Sequence, residues 1–210
     1  DNTPVAGLYA AGEVACVSVH GANRLGTNAL LDLIVFGRRA GRHIGDFVKS
    51  QEFSALPDNS DSDVVDRLKR LKQSEGDEVV EHIRTDLQRE MMDNVSVYRT
   101  EETLTKMQSI LGELRERFQN ISIMDKGDFF NTDVLDAVEL GYLIDFSAAL
   151  VDSALARQES RGAHYREDYP DRDDENWLKH SLAYLEEDGS IKMDYKSVSI
   201  TKFEPKERKY

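Results

Sequence analysis

Leu104, Met107, Leu111, Leu114, Phe118 and Ile121 follow one another at spacings of 3, 4, 3, 4 and 3. This is a heptad seam over about two and a half repeats, and a helix brings such residues onto one face. Thr100 stands before the seam as an N-cap, and Glu101 and Glu102 lie where the helix dipole favours negative charge. Upstream, Val79, Ile83, Leu87 and Met91 recur every fourth residue, with Val80 and Val95 widening the stripe. Downstream, a helix starting after Asn131 or Thr132, with Asp133 in its first turn, is predicted to bury Leu135, Val138, Leu143, Phe146, Leu150, Ala154 and Leu155. Three amphipathic helices with short connections predict an antiparallel three-helix bundle. A short helix bearing Val64, Leu68 and Leu71 precedes them, and Gly76 interrupts the pattern.

The fold class is therefore mainly α, with differently textured segments on either side. Residues 1–49 are rich in Gly and Ala and poor in acid. They predict a buried strand from Leu8 to Ala11, a glycine-bearing loop from Gly12 to Asn28 and a helix from Ala29 to Val48, the C-terminal strand–loop–helix piece of an α/β domain. Residues 50–63, with Pro57 and several Ser and Asp, predict a linker, and residues 64–165 the bundle. The tail, placed at residues 166–210, follows a charge-dense stretch that begins at Ser160. Looser alternation after Tyr184 predicts a short β-hairpin turning at Asp188-Gly189. Arg161, His164, Arg166, Arg172, Asp173 and Asp174 mix both signs, which predicts an ion-pair network docking the tail onto its own domain rather than a metal or anion site. Trp177 and Leu178 supply its apolar anchor.

Hydrophobic residues are 40% of the chain and charged residues 32%, which suits a packed domain. A net charge of −13 argues against binding nucleic acid or an acidic membrane surface, since phosphates would be repelled. It leaves an anionic small substrate open, because local arginines can dominate a site. The single cysteine, Cys16, excludes an internal disulfide and a cysteine-only zinc site, and is expected to be a small packed residue. No apolar run approaches the roughly 20 residues that span a bilayer. The opening residues Asp1-Asn2-Thr3-Pro4 lead almost at once into the predicted strand, and a lone strand cannot stabilise itself. A piece of a longer protein is therefore expected.

The segment Gly12 to Arg38, GEVACVSVHGANRLGTNALLDLIVFGR, places Glu13, His20, Asn23 and Arg24 in a glycine-rich loop between a strand and a helix start. Ligands of α/β proteins gather at strand ends and helix N-termini, where free amides face an electronegative atom. On spacing alone, a polar loop with a salt-bridged arginine explains these residues equally well.

That segment resembles a hallmark of the succinate dehydrogenase and fumarate reductase flavoproteins. SRGAHYREDYPDRDDENWLKHSL, from Ser160 to Leu182, resembles their C-terminal signature, and Val97 to Glu102 and Phe130 to Asp133 are similar to landmarks of their helical domain. The resemblance is collinear over essentially the whole chain. It implies an FAD-dependent enzyme part: succinate oxidised to fumarate, or the reverse, with electrons passing to an iron–sulfur subunit of a respiratory complex that also has membrane-anchor subunits. It implies that Arg24 grips a substrate carboxylate, a task suited to a permanently charged, bidentate fork. It further implies that Glu13 contacts FAD and that the backbone of Ala29 and Leu30, at the helix start, faces the isoalloxazine. Many relatives have Ser where Ala29 stands, and a backbone contact survives that change. His20 is expected to orient the loop as readily as to line the site, and no catalytic residue is assigned. The family's G-x-G-x-x-G fingerprint, flavin-attaching histidine and capping domain fall outside this sequence. Location on the cytoplasmic side of an inner membrane, or on the matrix side in a mitochondrion, is implied. L-aspartate oxidase shares the HGANRL core, but the RDDENWLKH block argues against it. A non-catalytic helical scaffold is the alternative of a different class.

Overall fold

Why the central helix starts where it does is settled by two threonines. The Thr103 amide donates to Thr100 Oγ1 at 3.2 Å and the Thr100 amide to Thr103 Oγ1 at 3.1 Å, a reciprocal cap that satisfies two otherwise orphaned donors. In the computed structural model, which describes residues 5–20, 26–202 and 204–206, this cap opens α4, Glu101–Gln119. The described helices before it are α1 (Asn28–Phe47), followed by a 3-10 turn at Val48–Ser50, α2 (Ser62–Gln73) and α3 (Val80–Val95). After it come α5 (Thr132–Ala156), the short α6 (Asp174–Trp177) and a hairpin of β1 (Lys179–Leu185) and β2 (Ile191–Ser197). The chain divides into two units, residues 1–60 and 61–210.

In the second unit, α3, α4 and α5 pack on one another as an antiparallel bundle. The predicted seam is its core: Leu104, Met107, Leu111, Leu114 and Ile121 are buried and Phe118 packs against them. Ile83, Leu87, Val80 and Val95 of α3 are buried as expected, whereas Val79 is the exposed N-cap. On α5 the predicted start is right, since Asn131 Oδ1 accepts from the Val134 amide at 2.9 Å. The predicted face is right only at its end, where Ala154 is buried and Leu155 packs against the core. Leu135, Leu143, Phe146 and Leu150 are exposed, Phe146 by 75%, and the core side is Ala137, Leu140, Gly141, Ile144, Ser147, Ala148, Val151 and Ala154. The reason is shape. Small residues let α5 approach its neighbours closely, and a Cβ on Gly141 would come 3.2 Å from Phe118 Cζ. Bulk alone does not choose the buried face of a helix that is apolar all round.

Gly76 is a packing requirement as well as a helix stop. Its amide donates to Ile121 O at 3.0 Å and the Glu78 amide to Asn120 O at 3.0 Å, while the Ser122 amide donates to Glu78 O at 2.8 Å. A Cβ at Gly76 would lie 1.9 Å from the Asn120 carbonyl oxygen.

The hairpin turns where expected. Gly189 takes φ +82°, its amide donates to Glu186 O at 2.9 Å, and Asp188 Oδ1 accepts from the Ser190 amide. Its first strand starts at Lys179, earlier than the alternation suggested, and Arg115 of α4 holds the turn by donating to Gly189 O at 2.8 Å. The tail forms the expected ion-pair network around a fully buried Glu159. Glu159 accepts from Arg157 at 2.6 Å, from Arg161 at 2.8 Å and from the Asp173 amide at 2.9 Å. Half-buried Trp177 lies under the Arg157 guanidinium and the Lys179 ammonium, 5.2 and 4.7 Å from the ring centre.

The first unit departs from expectation at residues 8–11, which form no strand. A strand exists through its ladder partners, and no described residue pairs with this stretch. Instead, the Tyr9 hydroxyl and His43 Nδ1 share a hydrogen bond at 2.7 Å and the Tyr9 ring lies near Phe47, tying the segment to α1.

Candidate functional site

The loop of the first unit is built down onto α1 through Gly12. Gly12 is buried at φ +82°, and a Cβ there would lie 2.2 Å from Leu33 Cδ2, so the backbone approaches the helix more closely than any side chain permits. The Ala15 amide donates back to Gly12 O at 2.9 Å, closing a tight turn. Glu13, within that turn, is exposed on the outside of the loop. Cys16 is exposed too, contrary to the packed role expected of it.

Farther along, His20 Nε2 meets Asp32 Oδ2 at 2.7 Å. Asp32 sits in the second turn of α1 and is only 7% exposed. His20 Nδ1 and Asp32 Oδ1 are also shut off from solvent, and no described residue hydrogen-bonds to either. Asp32 is a functional candidate that no motif in the sequence marks. Its one signal is isolation, a single carboxylate within LLDLIVF.

The start of α1 is bare. Thr27 occupies the N-cap in a left-handed conformation, φ +70°, and its side chain makes no capping bond. No acidic residue stands in the first turn. The Leu30 amide donates to Thr27 O at 3.1 Å, while Ala29 is half-buried and Leu30 is 64% exposed. Among the described residues this helix start has no side-chain cap and no acid in its first turn, so its dipole suits an electronegative ligand atom. Arg24, together with Gly21, Ala22, Asn23 and Leu25, lies outside the described residues. Of the sequence-predicted site residues, Ala29 and Leu30 therefore stand together at the start of α1, and Glu13 stands in the loop ahead of it.

Among the described residues no three His, Cys, Asp or Glu side chains could jointly hold a metal ion, and no helix is long and apolar enough to cross a membrane.

Residues 84–210 match the family model described as fumarate reductase flavoprotein C-term, and residues 1–30 match one described as FAD binding domain. The succinate dehydrogenase flavoprotein subunit of Rickettsia conorii is 43% identical over 201 residues, which is 95% of this chain and 34% of that protein. The fumarate reductase flavoprotein subunit of Haemophilus influenzae is 42% identical over 99% of this chain and 35% of its own length. The chain thus spans about a third of the length of these relatives. Among solved structures, a point mutant of E. coli quinol fumarate reductase FrdA superposes with a TM-score of 0.90 at 40% identity, covering 96% of this chain and 35% of that one. The Mycobacterium smegmatis Sdh1 complex gives 0.82 at 30% identity, covering 94% and 34%.

Proposed function

Because the chain belongs to the succinate dehydrogenase and fumarate reductase flavoprotein family, we propose that it forms part of an FAD-dependent subunit interconverting succinate and fumarate. Electrons would pass to an iron–sulfur subunit of a peripheral respiratory complex, on the cytoplasmic or matrix side of its membrane, anchored by other subunits. The observation that carries this reading is the match over at least 95% of the chain. L-aspartate oxidase gains no support from these relatives.

In this reading residues 1–49 complete an FAD-binding domain, residues 50–63 link it to the helical domain at 64–165, and residues 166–210 are the tail. The uncapped start of α1 supports a cofactor there, where the backbone at Ala29 and Leu30 would favour negative charge on the ring system. Glu13 would accept a hydrogen bond from a cofactor hydroxyl. Bound, FAD supplies the two-electron acceptor for hydride. Arg24 would hold a substrate carboxylate in its guanidinium fork and, by neutralising it, ease loss of the adjacent C–H proton. Leu30, Leu31, Leu33, Ile34 and Val35 are all exposed in the described unit. Such all-round apolarity supports the view that α1 is interior to a larger domain.

The test is Arg24→Ala in the full flavoprotein assembled with its partners. Succinate turnover with an artificial electron acceptor should be lost while the flavin absorption band stays stoichiometric. Unchanged kcat/KM would remove Arg24 from substrate binding.

A further inference from the structure

We propose that His164 is a proton-sensitive latch, which clasps the charge-dense segment 160–169 to the turn between α3 and α4 while its imidazole is neutral and releases it when protonated. Two bonds define its state. Arg99 Nη1 stands 3.1 Å from His164 Nδ1, and a guanidinium has only hydrogens to give, so Nδ1 accepts with its lone pair. His164 Nε2 lies 3.2 Å from the carbonyl oxygen of Arg157, the C-cap of α5, and a carbonyl only accepts, so the ring's one hydrogen sits on Nε2. The two partners together select a single neutral tautomer. A second proton would go onto Nδ1 and point at the Arg99 donor, and the bond would be lost.

The surroundings do nothing to offset the added charge. Three guanidiniums face the half-buried ring: Arg99 from the turn after α3, Arg157 from the end of α5 and Arg166 from the segment itself. Arg157 is paired with Glu159 at 2.6 Å and Arg166 with Asp168 at 2.7 Å, so these carboxylates are already engaged. The described side-chain partners of Arg99 are the Val95 and Ser96 carbonyls and the imidazole. Arg161, whose backbone pairs with that of His164, turns its guanidinium to Glu159 and Asp174. Burial, helped by the three arginine charges and opposed by the Arg157 carbonyl, pushes the His164 pKa below the usual 6.5.

The clasp lies beside the other attachments of the segment to the same turn. The Glu167 amide donates to Arg99 O at 2.9 Å, and Asp168 accepts from the Glu101 amide at 2.8 Å. Among these fastenings only the imidazole belongs to a residue type that ordinarily titrates near neutrality. The clasped ring binds a proton more weakly than a free one. The latch is therefore at full strength above about pH 6.5 and weakens as pH falls below it.

The experiment is amide hydrogen exchange of the complete flavoprotein at pH 7.5 and 5.5, read by mass spectrometry as protection corrected for the intrinsic rate. Exchange at the histidine C2 position titrates His164 itself. The expected results are a His164 midpoint below 6.5 and a loss of protection in residues 160–169 of up to about tenfold at pH 5.5, with residues 104–114 of α4 unchanged. His164→Gln, which keeps an acceptor and a donor but takes up no proton, should abolish that loss. A midpoint at or above 6.5 overturns the proposal, as does equal protection of residues 160–169 at the two pH values. A loss that spreads equally over residues 104–114, or that persists in His164→Gln, overturns it too. Should that variant fail to fold, the two wild-type readings still decide.

Discussion

Arg166 and Asp168 meet through two parallel bonds, Nε to Oδ1 at 2.7 Å and Nη2 to Oδ2 at 2.8 Å, with Arg166 fully buried. The pair joins two helix ends. Arg166 Nη1 donates to the carbonyls of Ala154 and Leu155 at 3.0 Å, in the last turn of α5, and Asp168 Oδ2 accepts from the Glu101 amide at 2.8 Å, at the start of α4. Cation at a C-terminus and anion at an N-terminus both complement the helix dipoles.

Replacing Arg166 by Met strands two carbonyls and a carboxylate together. A loss of about 3 kcal/mol or more is expected for the second unit, measured by urea unfolding followed by helical circular dichroism. A loss below about 1 kcal/mol would contradict the capping role.

Acid should act through the same pair. Hydrogen bonding from Arg166, aided by the Glu101 amide and opposed by partial burial, holds the Asp168 carboxyl at about 2, below the usual 3.8. Its unfolded form takes up a proton first as pH falls. The stabilisation is therefore complete above pH about 4 and lost on the way down to about 2. The stability gap between wild type and Asp168→Asn should narrow across that window, and a gap independent of pH would refute it. Glu78, Asp86 and Asp174, each lowered chiefly by an arginine hydrogen bond, push in the same direction.

Gly76→Ala should cost about 2 kcal/mol or more, because its Cβ would collide with the fixed Asn120 backbone rather than with a movable side chain. Thermal unfolding reads the effect, and an unchanged midpoint would mean that the 74–78 and 120–123 segments separate easily.

The face of α5 has a direct test. Leu140→Asp places a charge at a fully buried position and should unfold the bundle, whereas Phe146→Asp, at a residue 75% exposed, should change the stability of this chain by less than about 0.5 kcal/mol. Melting curves with the opposite order would restore the face that bulk alone suggests.

Legibility followed how local the cause was. The start of α4 at Thr100 could be read because the cap lies within four residues, and the turn at Gly189 because positive φ is a property of one residue. The seam from Leu104 to Ile121 could be read because α4 has one apolar face. Residues 8–11 misled because strand-like composition does not supply a ladder partner. Asp32 is not legible in the sequence because its partner, His20, is twelve positions away and no periodicity links them.

By itself, then, the sequence determined where the five longer helices run, where the caps at Thr100 and Asn131 and the hairpin turn fall, and which family the chain belongs to, since all three depend on residue order over short or collinear stretches. Tertiary structure alone decided which side of α5 faces inward, that Gly76 must lack a side chain, and that Asp32 holds His20. Each of those depends on an atom brought near by packing, and close packing selects by shape and distance rather than by residue type.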